Sequence, residues 1–578
     1  MDRIAPLSST TRWGMIAAGL LQGLLCYVLL RVIEAHELPA VNGYMLYGVM
    51  GSIALSGTLL FTVTRFSQPA LWAGLSIVLA VVCAMGWWVS WNFKHAESWQ
   101  FQEALLLYSF LLVLMTMLML PWFQARLQTG AFRAGYAFFY QRLWQNSLSL
   151  LLIFLATGLL WLVLTLWSEL FKLLNLNFFH WLFFETKWFF YLSTGLVCAL
   201  VLILARSESR LILAVQNLLA LIARGLLPLV ALVVLLFILT LPFVGIGTIS
   251  TRISAAGLLN SLVLMLLILV AVVWSPEKNQ LPYPLALRYL VRVSLFVLPL
   301  LALLAGWAMW VRIAQYGWTP ERLYAVLITG VALVWACGYA FSILRHQPLS
   351  VQGAVNQGVA LLMLTLLVLL HSPVLDRYRI SVNSQMARYY SGQTSADNLS
   401  LSMLDGAGRR GHRALLALQN DRAFINDGAR NRILKNMLNI SRQNEVVVNV
   451  PFLQQNILLI TRDRVPDKAL WEQLISRRES VSGCLAAQKN CWLMAQDLNQ
   501  DGVMEWLYYN LDERQITAFR QDKAGWATNG NAWDLPASLD KAALVQALEQ
   551  GQVKLTPKVW QDLSINGERV KMNYYSEE

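Results

Sequence analysis

Through the first two thirds of the chain, apolar residues gather into long unbroken runs joined by short polar stretches, rather than recurring at a helical or strand period. The runs fall near 13–30, 44–64, 69–91, 104–123, 146–167, 188–205, 226–246, 256–275, 293–312, 323–344 and 353–371. Each approaches or exceeds the length at which a helix crosses roughly 30 Å of hydrocarbon while satisfying its own backbone hydrogen bonds. About eleven transmembrane helices are therefore predicted. From Ser372 onward no such run recurs, and short strand-like and helix-like segments alternate with turns. The pattern predicts a polytopic α-helical membrane protein: a multi-pass domain over 1–372, then a soluble α+β domain over 373–578 with a β-hairpin region near 484–521.

Composition agrees, with 57% hydrophobic residues, only 13% charged and 23 tryptophans. The net charge of +12 suggests nucleic acid until it is divided along the chain. Of 45 Lys+Arg and 33 Asp+Glu, 20 and 10 precede residue 373, which leaves 25 and 23 for the remainder. The excess belongs to the membrane part, where basic loops are retained in the cytoplasm, so no nucleic-acid partner is implied. Alternate loops separate Arg3, Arg12, Arg65, Arg126, Arg133, Arg142, Arg206, Arg210, Lys278, Arg288, Arg292 and Arg345 from a poorer set diluted by Glu34, Glu37, Glu97, Glu103, Glu169, Glu185 and Glu321. That bias predicts a cytoplasmic N-terminus, and an odd number of crossings carries the C-terminal domain to the periplasm of a double-membraned bacterium. The first run is too long, and lacks a small-residue cleavage pattern, to be a signal peptide.

Between the ninth and tenth runs the chain reads Arg312-Ile-Ala-Gln-Tyr-Gly-Trp-Thr-Pro-Glu-Arg-Leu-Tyr324, and after the last run come DRYRISVNSQMARYYSG (376–392) and GRRGHRALLAL (408–418). In order and spacing, from the middle spans to about residue 420, these stretches resemble a bacterial inner-membrane family called domain of unknown function 4153. The resemblance implies a multi-pass inner-membrane protein and no activity. Within the first stretch Thr319 suits a helix cap, Pro320 the first helical position and Glu321 the positive end of the helix dipole, while Tyr316 and Trp318 suit a membrane interface. Ending one span and launching the next is one reading of this motif. Contact of Glu321 and Arg322 with the outer domain or a ligand is the other. Arg379, Ser381 and Gln385 lie just beyond the bilayer, where docking is expected rather than catalysis.

Gly406, Gly408 and Gly411 have the spacing of a dinucleotide-binding turn, between a strand-like LSLSML and a helix-like HRALLAL, but no alternating strand-helix array surrounds them. An ordinary helix-entry loop is expected. The six histidines are scattered, and no G-x-S-x-G, P-loop or Cys/His cluster marks a catalytic centre. Cys484 and Cys491 are the two cysteines of the soluble domain, and a strand-turn-strand excursion predicts their disulfide in an oxidising compartment.

In Asp497-Leu-Asn-Gln-Asp-Gly-Val-Met-Glu505, oxygen-bearing side chains alternate before a glycine. An EF-hand is excluded, since its bidentate glutamate position is Tyr508. Asp497, Asn499, Asp501 and Glu505 still resemble a shorter calcium loop joining two strands, and calcium is the one cofactor suggested. The competing reading is a hairpin turn whose side chains cap their own backbone. Taken together, the residues point to an inner-membrane binding, sensing or envelope-support protein, with the bilayer and an envelope protein as partners. The alternatives are transport or lipid handling by the helices, and an enzyme with a polar pocket around Glu185, Glu321 and Arg322.

Overall fold

The computed structural model describes the chain except residues 1–6, 36–43, 94–97, 133–134, 208, 245–254, 275, 277–280, 346–347, 427–429, 432, 436, 439–448, 462–463, 477–490, 500, 511–514, 523–524, 533–545, 549, 551–562, 566–567 and 571–578. Eleven helices occupy the eleven apolar runs. They are α1 Ser9–Ala35, α2 Gly51–Thr62 with a π-helical turn Tyr44–Met50 leading into it, α3 Pro69–Asn92, α4 Ser98–Thr129, α5 Tyr136–Lys172, α6 Lys187–Ser207, α7 Ser209–Val244, α8 Ala255–Val273, α9 Leu285–Tyr316, α10 Pro320–Leu344 and α11 Pro348–Leu370. Each span is long and apolar enough to cross a membrane. Pro121, Pro228, Pro242 and Pro299 sit inside these helices, as membrane helices tolerate.

Leu227, Val263, Leu267, Leu295, Leu298 and Ala336 pack α7 to α10 together, while Val82, Met85, Tyr108, Met115 and Leu367 join α3, α4 and α11. Leu106, Phe110, Phe154, Leu159, Leu166 and Trp310 are instead exposed. In water such a surface would drive association; in hydrocarbon it is at rest. In the last turn of α6, Arg206 donates to the carbonyls of Leu60 and Val63, at 2.8 and 2.6 Å. It thereby satisfies the C-terminal end of α2, whose last carbonyls have no partner within their own helix.

The chain divides into two compact units, 1–431 and 432–578. The first extends past the last apolar run, which ends at residue 371, because further short helices belong to the same unit, among them α12 Arg377–Tyr390, α13 Leu401–Asp405 and α14 Gly408–Leu418. In the second unit, α15 Val450–Asn456 and α16 Lys468–Ser476 accompany a sheet of five strands in the order of the chain, β1 Ile457–Leu459, β2 Cys491–Gln496, β3 Glu505–Asn510, β4 Gln515–Asp522 and β5 Gly525–Ala532, and a separate pair, β6 Leu563–Ile565 and β7 Glu568–Val570. β1 runs parallel to β2 and the other pairs are antiparallel. Leu493, Tyr508 and Phe519 face a core with Trp471 and Leu474 of α16, while Trp492, Leu507 and Tyr509 face the other side with Leu548. That is the period-two alternation of a sheet covered on both faces.

Candidate functional site

The turn between α9 and α10 is the Tyr-Gly-Trp-Thr-Pro-Glu-Arg motif, and its local chemistry is that of a helix stop followed at once by a helix start. Gly317 has φ +75, a conformation that disfavours side chains, and a Cβ there would lie 2.7 Å from Arg388 Cδ and 2.8 Å from Gln385 Nε2. Thr319 caps α10 by accepting from Arg322 N, Pro320 is the first helical residue and Glu321 is in the first turn.

Helix α12 grips this turn. Gln385 Nε2 donates to the carbonyls of Tyr316 and Trp318 at 2.8 and 3.0 Å, and the Trp318 amide donates to Ser384 Oγ. Arg388 donates to the carbonyls of Ala314 and Gln315, at 3.0 and 2.6 Å, which supplies the last carbonyls of α9 with donor partners. Arg322 reaches back to Gly317 O at 2.6 Å, and both Arg312 and Arg322 lie over the exposed Tyr316 ring. α12 is itself started by Asp376, which is 1% exposed, caps the amides of Tyr378 and Arg379 and pairs with Arg410 Nε at 2.6 Å. Arg379 makes only a local bond to Val374 O, and Ser381 is fully buried with no hydrogen-bond partner for its hydroxyl.

These elements border an open cavity of about 780 Å³. Its polar wall comprises Glu103, Glu321, Arg322, Tyr324, Arg377 and Gln385, with Ser400 and Ser402 from the entry of α13 and Phe93 and Leu107 on the apolar side. Arg377 is 7% exposed. One guanidinium arm donates to Tyr378 Oη at 2.7 Å, and the guanidinium lies 4.6 Å from the Tyr378 ring and 5.3 Å from that of Tyr324. Its Nη1 has no hydrogen-bond partner, and neither has the buried hydroxyl of Tyr324. Burial raises the pKa of the Tyr378 hydroxyl, opposed by Arg377, so this group remains neutral at physiological pH.

The enzyme reading grouped Glu185 with Glu321 and Arg322. Glu321 and Arg322 line the cavity and Glu185 does not; it ends the π-helical turn Trp181–Glu185 between α5 and α6. Arg377 and Tyr324 lie inside the stretches that carry the family resemblance and Glu103 among the loop carboxylates, but sequence reasoning did not single them out as site residues, because no spacing pattern joins the three. The Gly406–Gly411 stretch is a packing device. Its predicted strand is the short helix α13, capped by Ser400, and α14 crosses it so closely that a Cβ on Gly411 would fall 1.6 Å from Leu404 O.

A family model with the description Domain of unknown function (DUF4153) matches residues 49–418, more than half of the chain. The chain belongs to this family. Its match ends on the last residue of α14, so every residue lining the cavity lies inside the DUF4153 region, whereas the calcium-like loop and Cys491 lie outside it. No curated protein and no solved structure matches the chain.

A second cavity of about 370 Å³ lies among α4, α5, α8, α10 and α11. Leu118, Phe139, Trp144, Val272 and Met363 make it apolar, and no acidic, basic or histidine side chain lines it. Its one amide, Asn356, is hydrogen-bonded to the Tyr136, Trp335 and Tyr339 side chains at 2.6 to 2.9 Å. The ionisable pathway that ion-coupled transport calls for does not run through this cavity.

In the second unit the loop between β2 and β3 closes on itself. Asp497 accepts from the amides of Asp501 and Gly502, Asn499 from Asp501, and Asp501 from Val503. Glu505 is buried and accepts from the Leu498 amide at 2.8 Å. Gly502 has φ +86, as a tight turn needs. Cys491 is buried and disulfide-bonded, while Cys26, Cys83, Cys198 and Cys337 are free; Cys484 lies outside the described residues.

Proposed function

We propose that this DUF4153 protein is a membrane-anchored binding protein whose receptor site is the cavity under α12 and α13, rather than a transporter. The observation that carries the reading is the buried Arg377, held between two tyrosine rings with a donor arm unused beside a polar cavity. Leaving one arm of a buried guanidinium without an acceptor is costly, and a ligand acceptor for Nη1 offsets that cost. The test uses full-length protein purified from its own membrane in mild detergent. Native mass spectrometry is expected to find a retained small molecule or lipid, and Ser402→Trp, which adds bulk from an exposed position on the cavity wall, is expected to remove it without lowering the melting temperature. An identical adduct in both proteins, or none in either, contradicts the reading.

We place the protein in a bacterial inner membrane with its N-terminus cytoplasmic and its second unit periplasmic. The charge asymmetry of the loops supports this, and so does a disulfide at Cys491, since such bonds persist outside the reducing cytosol. A phosphatase reporter fused after Glu578 is expected to be active and one fused at Arg133 inactive; the reverse pattern inverts the topology. Cys484 is the proposed partner of Cys491, and both are expected to resist thiol reagents until reductant is added. Ready labelling of either in non-reduced envelopes would overturn the pairing.

Calcium at Asp497, Asn499, Asp501 and Glu505 is a separate proposal, supported by the alternation of oxygen-bearing side chains along one short loop, where Asp497, Asn499 and Asp501 accept from the loop's own amides. A cation bound only by the folded state adds about 1.4 kcal/mol at ten times its Kd, a rise of a few degrees in melting temperature. That gain is expected for the wild type and lost in Asp497→Ala/Asp501→Ala. An unchanged curve at millimolar calcium leaves a hydrogen-bonded hairpin turn and no metal.

A further inference from the structure

The cavity is lined by both basic and acidic side chains. Lining it are Arg377, whose buried guanidinium has Nη1 unpaired, and Tyr324, whose hydroxyl is unpaired, and Arg322 also lines the site with one arm committed to Gly317 O. Donors thus arrive from arginine and hydroxyl groups on different elements, joined by the hydroxyls of Ser400 and Ser402. That arrangement suits a tetrahedral oxyanion, whose oxygens point in several directions, better than a planar carboxylate. Glu103 and Glu321 line the same cavity from exposed positions, and among the described residues neither forms an ion pair with Arg377 or Arg322. Two carboxylates beside an anion site repel a bare phosphate and reward a cation carried by the same ligand.

We propose that the cavity binds a zwitterionic amino-phosphate, with the phosphate on Arg377 and Tyr324 and the ammonium toward Glu103 and Glu321. This rests on the reading of the cavity as a binding site and adds the chemistry of its ligand. Such a group reaches the site either as a phospholipid headgroup, since the motif turn lies at the end of two spans, or as a free aminoalkyl phosphate from solution.

The test separates the sources. Full-length protein in detergent is titrated with O-phosphoethanolamine, inorganic phosphate and ethanolamine, and in parallel is melted in nanodiscs of phosphatidylglycerol with and without phosphatidylethanolamine. Stabilisation by O-phosphoethanolamine identifies the free source; stabilisation by phosphatidylethanolamine alone identifies the lipid. In either case Tyr324→Phe, which removes only the unpaired hydroxyl, is expected to weaken binding about tenfold, and Arg377→Lys about a hundredfold. Glu103→Gln is expected to weaken the amino-phosphate while sparing inorganic phosphate. The proposal falls if neither amino-phosphate probe binds, if inorganic phosphate binds as tightly as O-phosphoethanolamine, or if Tyr324→Phe and Arg377→Lys leave binding unchanged. Should Ser402→Trp still displace a copurified molecule when both probes fail, the cavity is a site for other chemistry and only this assignment is lost. If no molecule is retained either, both readings are lost.

Discussion

Gly411→Ala is expected to lower the melting temperature of the full-length protein more than any other single methyl addition in the first unit. The added carbon would lie 1.6 Å from Leu404 O and 3.0 Å from Ala407 Cβ, and the first of these is backbone that cannot rotate away. α13 and α14 must separate, at a cost of about 3 kcal/mol or more. The cavity loses a wall with them, so ligand retention is expected to fall as well. Gly330→Ala in α10 is the matched control, with nothing within 4 Å of the new Cβ. Its expected effect is neutral or stabilising, because alanine is the better helix former. Equal melting temperatures for the two variants would show that α13 and α14 do not cross as described.

Asp376→Ala is expected to be nearly as damaging, by a different mechanism. The carboxylate caps two amides of α12 and pairs with Arg410, whose side chain is 26% exposed against 1% for the aspartate. Removal therefore loses a helix cap and strands a half-buried guanidinium, together about 3 kcal/mol. Asp376→Asn retains the cap and loses the charge, so it should melt between the alanine variant and the wild type. If Asp376→Ala unfolds with the wild type, the anchoring of α12 is wrong and the cavity has no fixed roof.

Much of the fold was legible because membrane helices are specified by length and hydropathy, two properties that need no knowledge of what packs where. All eleven spans were recovered, including α2, whose π-helical entry changes the path of the chain without changing its composition. The α9–α10 turn was equally readable, since Thr319, Pro320 and Glu321 are local cap chemistry that tertiary contacts reinforce.

The roof was not legible. Helices α12 and α14 are amphipathic and short, so by composition they belong with the soluble residues, although they pack in the same unit as the spans. The strand reading of LSLSML failed because Ser400, capping the Met403 amide, starts a helix that alternation alone does not reveal. Arg377 was invisible for a further reason. Its role depends on Tyr324 and Tyr378, one of them more than fifty residues away in sequence, and on the lack of a carboxylate partner, which no sequence pattern records.

An experimental density map of the protein, purified from its own membrane without ligand exchange, tests the binding site most directly. The predicted result is non-protein density in the cavity between Arg377, Tyr324 and Glu103, with the Arg377 guanidinium still clear of both carboxylates. A collapsed cavity, in which Glu103 or Glu321 forms a direct ion pair with Arg377, would contradict it and leave α12 as a structural clamp on the α9–α10 turn.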